Sequence, residues 1–151
     1  MRFRKRIYVS AMSDQRVFPM IDYEDAERAI EFLADAFGFV EERDVRYTEP
    51  DGRISHAQLS LDGGEVMLGG SIDGYRGPDR HAAECAIAQT WLDTQHIVDG
   101  VLVHVDDLDA HFRRARTAGA RILSPIEEGG PGRRYRAADV EGHRWMFMER
   151  P

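Results

Sequence analysis

At 151 residues, with 42% hydrophobic and 31% charged side chains, the chain can bury one core without disulfides or a structural metal. A net charge of −7 argues against a nucleic-acid surface, which needs a basic face, and the single Cys85 has no partner for an internal disulfide. No apolar run reaches bilayer length, and none follows the basic start Met1-Arg2-Phe3-Arg4-Lys5-Arg6, so no membrane association and a cytoplasmic location are expected.

In chain order, residues 1–15 read as an arm, either frayed or exchanged with a neighbour. Residues 17–22 read as a first strand in which Pro19 is tolerable only at an edge or strand start. Asp22 is placed to cap the next helix, with Asp25 and Glu27 in its positive first turn. Ala26, Ala29-Ile30, Leu33 and Ala36-Phe37 recur at helical spacing, and Gly38 supplies a left-handed end. Strands follow at 40–48, 53–61 and 65–69, separated by the turns Pro50-Asp51-Gly52 and Asp62-Gly63-Gly64. The connection 71–97 is long, and its centre, 80–92, has helical composition; it either covers a site or interface or is plain linker. Trp91 and Tyr75 within it are candidates for an aromatic lid or stacking platform, or equally for packing against a partner subunit. The order then repeats, with a strand at 98–105, a helix at 108–118 capped from Asp106-Asp107, and strands near 121–126, 133–139 and 144–149.

The repetition extends to single residues. Asp25-Ala26, Ala29-Ile30 and Ala36-Phe37-Gly38 are echoed by Asp107-Leu108, His111-Phe112 and Ala118-Gly119. Such a duplication predicts an α+β fold of two paired βαβββ modules, at 16–70 and 98–150, in a single domain over 1–151 with curved mixed sheets around a central cleft. Strand alternation sorts the faces. Val101, Val103 and Val105 are expected under the helix, with Gly100, Leu102 and His104 toward the cleft. Trp145 and Phe147 are expected in the core, with Arg144, Met146 and Met148 toward the cleft. Ala57, Leu59 and Leu61 are expected in the core, with Ile54, His56 and Gln58 toward the cleft, joined by Val66, Leu68, Phe18 and Met20. His111 is read as a partly exposed helical residue, and His143 as a structural residue in a turn.

The runs Asp25-Ala26-Glu27-Arg28-Ala29-Ile30, Ile54-Ser55-His56-Ala57-Gln58-Leu59, Val103-His104-Val105-Asp106-Asp107-Leu108 and Asp139-Val140-Glu141-Gly142-His143-Arg144-Trp145-Met146-Phe147 resemble the vicinal-oxygen-chelate superfamily. That superfamily includes glyoxalase I, extradiol dioxygenases, fosfomycin-resistance enzymes and bleomycin-resistance proteins, and the nearest likeness is the glyoxalase/bleomycin-resistance-like subgroup. The resemblance implies two paired βαβββ modules, a homodimer and a small-molecule partner. Metal-dependent members place ligands on the first and last strand of each module. The matching positions here are Phe18, Leu68, Gly100 and Met146, which offer no hard donor, so the resemblance implies no metal and no cofactor. What remains is a metal-independent binding protein for a partly apolar, aromatic or cationic compound. Its expected ligand contacts are Phe18, Met20, His56, Gln58, Leu68, Trp91, Leu102, His104, Arg144, Met146 and Met148. The alternative is a lyase, isomerase or dioxygenase, with His56 and His104 as acid–base candidates or with an unusual metal site that recruits Glu149. A third reading is a structural or regulatory dimer with a vestigial pocket.

Overall fold

The computed structural model describes residues 15–70, 72–92 and 100–151; residues 1–14 of the expected arm and residues 98–99 of the strand expected at 98–105 lie outside them. The first module begins with strand β1 (Met20–Asp22), helix α1 (Ala26–Phe32) and a π-helical turn (Leu33–Phe37). Short strands β2 (Val40–Glu41) and β3 (Tyr47–Thr48), then the long hairpin β4 (Ile54–Leu61) and β5 (Gly64–Gly69), complete it. Helices α2 (Pro78–Glu84) and α3 (Ala86–Leu92) connect it to β6 (Val101–Val105), α4 (Leu108–Thr117), β7 (Arg121–Glu127), β8 (Arg134–Ala138) and β9 (Arg144–Glu149). The sheets run β1-β5-β4-β2, with β3 also on β4, and β6-β9-β8-β7. In each, the first strand lies parallel to the last and the others are antiparallel. The fold is therefore α+β with two βαβββ units. Among the described residues no helix is long and apolar enough to cross a membrane.

Local chemistry accounts for most boundaries. Asp25, not Asp22, caps α1, its carboxylate accepting the amide of Arg28 at 3.0 Å, because Asp22 is still paired with Gly69 as the last residue of β1. Asp107 does the same for Ala110 at 2.8 Å in α4. Gly38 ends the π turn at φ 87°, and a Cβ there would stand 2.9 Å from Arg114 Nη1. The hairpin β4–β5 closes on Asp62 (φ 48°) and Gly63 (φ 86°), the two positive-φ residues that a tight two-residue turn requires. The strand expected over 40–48 is broken by a 3₁₀ turn at Arg43–Val45, so only its ends pair with β4.

One core joins both helices and both sheets. Trp145, Tyr23, Tyr135, Phe37 and Phe147 are its largest rings, with Phe37 and Phe147 centroids 4.7 Å apart and Tyr135 on Phe147 at 5.2 Å. The register corrects one facing assignment. Ala57 pairs with Leu68 and Leu59 with Val66, and directly paired residues share a face. Val66 (4% exposed) and Leu68 (1%) thus belong to the core with Ala57 and Leu59, not to the cleft. Met67, opposite Gln58 and Met20, takes the open face instead. Ile54, also expected on the cleft side, is buried in the core at 4% exposure. His111 lies on α4 and is partly exposed as expected, and it also bonds into the core, with Nδ1 2.7 Å from the Tyr135 hydroxyl and Nε2 3.0 Å from the Phe37 carbonyl.

Asp139, in the β8–β9 turn, is a buried polar link that the sequence did not flag. Its Oδ2 accepts from the Tyr23 hydroxyl at 2.6 Å and from Trp145 Nε1 at 3.0 Å, and its Oδ1 accepts the amides of Glu141 and His143. Tyr23 lies just past β1, so this carboxylate ties the first module to the second. Burial, and then the Asp139 charge, push the Tyr23 hydroxyl well above its ordinary value, which keeps it a donor.

Candidate functional site

Two cavities lie where β1 and β6 come together, both lined by Pro19 and Val101. The larger, about 780 Å³, is roomy enough for a drug-sized molecule. Met20, Ile21 and Asp22 of β1, Gly100 and Val101 at β6, and Arg144 at the start of β9 form its floor. Tyr75 and His143 stand at its side, while Pro78, His81, Cys85, Ile87 and Trp91 cover it from α2 and α3.

The connection between modules becomes a cover for stated reasons. Pro78 sits in the first turn of α2, where its preset φ helps and its missing amide proton costs nothing. Cys85 then goes extended (φ −139°, ψ 115°), bending the chain so that α3 starts afresh at Ala86. Both modules hold the pair of helices in place. Glu24 accepts the Gly77 amide at 2.8 Å and pairs with Arg80 at 2.6 Å. Arg121 makes a bidentate bridge to Asp79 at 2.7 and 3.1 Å, and the Asp79 amide donates to the Glu141 carbonyl at 3.0 Å. At the far end Arg144 Nη2 donates to the carbonyls of Leu92 (2.7 Å) and Trp91 (3.3 Å), complementing the negative end of α3. Burial, and then the neighbouring Arg121 charge, lower the Arg144 guanidinium from its ordinary value.

Of the residues expected at the site, Met20, Trp91 and Arg144 line this cavity. Leu102 and His104 line the smaller one, about 450 Å³, together with Gln15, Phe39, Glu65 and the β4–β5 turn. His56 and Gln58 line neither. Gln58 is fully buried and donates Nε2 to Glu65 at 2.9 Å, while its Oε1 and the Nε2 of His56 are buried without a partner among the described residues. The two acid–base candidates therefore sit on separate sheets, with only His104 facing a described cavity. Met146 and Met148 line neither cavity, Met148 being buried, and Leu68 is in the core. Phe18 lies just before β1, outside both linings.

His143 takes part in more than its turn. Its Nε2 is 2.9 Å from the Asp22 carbonyl and 3.4 Å from the Tyr75 hydroxyl, and its ring meets Tyr23 edge-on at 4.7 Å. Tyr75 is pushed up to about 12 by burial and then by the charges of Glu141, Asp22, Asp139 and Glu24, so it remains a hydroxyl at neutral pH. Asp22, read from the sequence as a helix cap, faces the cavity instead. Strand alternation was the signal that could have found it, since it lies two residues after Met20.

The positions that metal-dependent relatives use do not fit a divalent ion. Met20 pairs with Met67 and Leu102 with Met146, which makes Met67, not Leu68, the counterpart of Met146. Phe18, Gly100, Met67 and Met146 include no oxygen or nitrogen side-chain donor. Among the described residues, no three His, Cys, Asp or Glu side chains are grouped to hold an ion.

Residues 19–147 match the model of the Glyoxalase/Bleomycin resistance protein/Dioxygenase superfamily. An uncharacterized protein of Mycobacterium bovis is 34% identical over 130 residues, covering 85% of this chain and 79% of that protein. The crystal structure of TioX from Micromonospora sp. ML1 aligns with a TM-score of 0.62 at 31% identity, covering 91% of this chain and 97% of that one. TnmS3, an antibiotic binding protein from Streptomyces sp. CB03234, aligns with a TM-score of 0.58 at 18% identity, covering 91% and 98%, and so shares the fold. Matched over nearly all of its described length, with the duplicated modules in register, the chain belongs to the Glyoxalase/Bleomycin resistance protein/Dioxygenase superfamily.

Proposed function

We propose that the chain is a small-molecule-binding protein that holds a partly apolar, aromatic compound in the larger cavity without a metal ion, acting in the cytoplasm as a homodimer. The cavity carries this reading: about 780 Å³ under a cover that presents Trp91 at 55% exposure, beside Met20 at 75%. Exposed aromatic and thioether surface in a concavity loses water on contact with a flat ligand, which is the main source of affinity for such sites. The lack of metal donors at the family positions is no handicap to sequestration, which needs only binding. TnmS3, with the same fold, is an antibiotic binding protein. Met20 and Leu102 (53% exposed), on the open faces of the two sheets, favour a second copy as cover.

Acridine is a suitable first probe, because the chain has two tryptophans and Trp145 is fully buried. Saturable quenching in the micromolar range, lost in Trp91→Phe, is expected. Quenching that stays linear both with acridine and with its 9-amino derivative would sink the reading. Sedimentation equilibrium checks the dimer, with Leu102→Glu expected to give monomers; a wild-type monomer at all concentrations would remove that part.

A further inference from the structure

The proposed binding site contains a carboxylate that none of the described residues pairs with. Asp22 carries the only carboxylate among the described residues lining the larger cavity, and that carboxylate makes no hydrogen bond or ion pair with them. The two arginines in the lining are both engaged. Arg144 binds the carbonyls of Leu92 and Trp91, and Arg76 binds Glu84 at 3.1 Å and the Tyr75 carbonyl at 3.4 Å. Asp22 is held on the cavity side by the register of β1 on β5, and its position depends on Gly69, since a Cβ there would collide with Asp22 Oδ1. A carboxylate left unpaired beside apolar and aromatic surface loses hydration when a ligand fills the cavity, and only a ligand with its own cation compensates for that loss.

We infer that the ligand of this cavity is a monocationic aromatic compound, its ring against Trp91 and its protonated nitrogen on Asp22. Asp22 is thus the residue that selects ligand charge. This rests on the binding reading above and adds to it a chemical class and a specificity residue. The Tyr75 hydroxyl, in the field of the same carboxylate, is within the lining to accept a second N–H.

The test uses two probes of nearly equal shape, 9-aminoacridine (a cation at slightly alkaline pH) and acridine (neutral there), titrated against Trp91 fluorescence. The wild-type protein is expected to favour the cation by roughly tenfold to a hundredfold, the value of a charge-assisted hydrogen bond in a desolvated site. Asp22→Asn is expected to abolish the preference, the two dyes then binding this variant with equal affinity. Gly69→Ala, which alters no charge, is expected to reduce the preference by displacing the carboxylate. Asp44→Asn, on an exposed turn and with the same change in net charge, is expected to keep it. Equal affinity for both dyes, or a preference that survives in Asp22→Asn, overturns the charge selection and leaves the binding site standing. Saturable binding of neither dye overturns both.

Discussion

Helices α1 and α4 begin alike and are supported differently. Each starts on an aspartate whose carboxylate accepts the amide three residues on, Asp25 in one and Asp107 in the other. Around α1, however, the second module supplies further caps. Glu141 accepts the amides of Glu24 and Asp25, both at 2.9 Å, and Arg114 donates to the carbonyls of Ala34 and Asp35 at 2.8 and 2.9 Å. The two β-hairpin turns diverge in the same way. Asp62 tips an exposed turn in the first module, while Asp139, at the base of the β8–β9 turn in the second, is 5% exposed and ties four donors together. Duplicated topology therefore does not imply duplicated energetics: the second module acts as the frame on which the first is fastened.

Breaking that frame should reveal the inequality. Asp139→Ala leaves the Tyr23 hydroxyl and the Trp145 indole N–H buried without acceptors and is expected to cost about 3–5 kcal/mol. Asp62→Ala, which pays only for an unfavourable positive φ, is expected to cost about 1 kcal/mol or less. Urea denaturation of the two variants compares them directly, and equal losses would remove the claim that the hairpins differ. Next in size are the clamps on α1. Glu141→Ala and Arg114→Ala should each lower stability by about 1–2 kcal/mol, at least as much as Asp107→Ala at the self-capped helix. A negligible effect of both would show that α1 does not need its neighbour.

The smallest effect sharpens the comparison through pH. His111 in α4 stands where the repeat places Ala29 in α1, so only the second module buries an imidazole at this position. Its neutral form suits the site, with Nε2–H donating to the Phe37 carbonyl and Nδ1 accepting from Tyr135, a tautomer inferred from these partners. Burial first, and then the Arg114 charge, lower its affinity for a proton despite the Phe37 carbonyl. The unfolded chain, with an ordinary value of about 6.5, then binds more protons than the folded one. Stability is thus complete above about pH 6.5 and falls as pH drops below it, by at most about 1.4 kcal/mol per pH unit. His111→Gln is expected to flatten that slope in thermal unfolding between about pH 5 and 7. An unchanged slope would mean that other groups carry it.

The duplication, the two helices, the β4–β5 turn and the apolar stripe from Ala26 to Phe37 were legible in the chain, because they rest on periodicity and on residues with local conformational demands. The βαβββ order followed from them. Facing on β5 was not legible. Glu65, Val66, Met67 and Leu68 form a run with no polar residue after Glu65 to set the phase, so only pairing with β4 decided that Leu68 goes in and Met67 out. The roles of Asp139 and His111 were hidden for a related reason: each depends on a partner far along the chain. Asp139 meets Tyr23 across 116 positions and His111 meets Phe37 across 74, separations that no local pattern encodes. The same holds for the cavity. Local composition marked 80–92 as helical, but only long-range bonds such as Arg121 to Asp79 and Arg144 to Leu92 turned that connection into a cover.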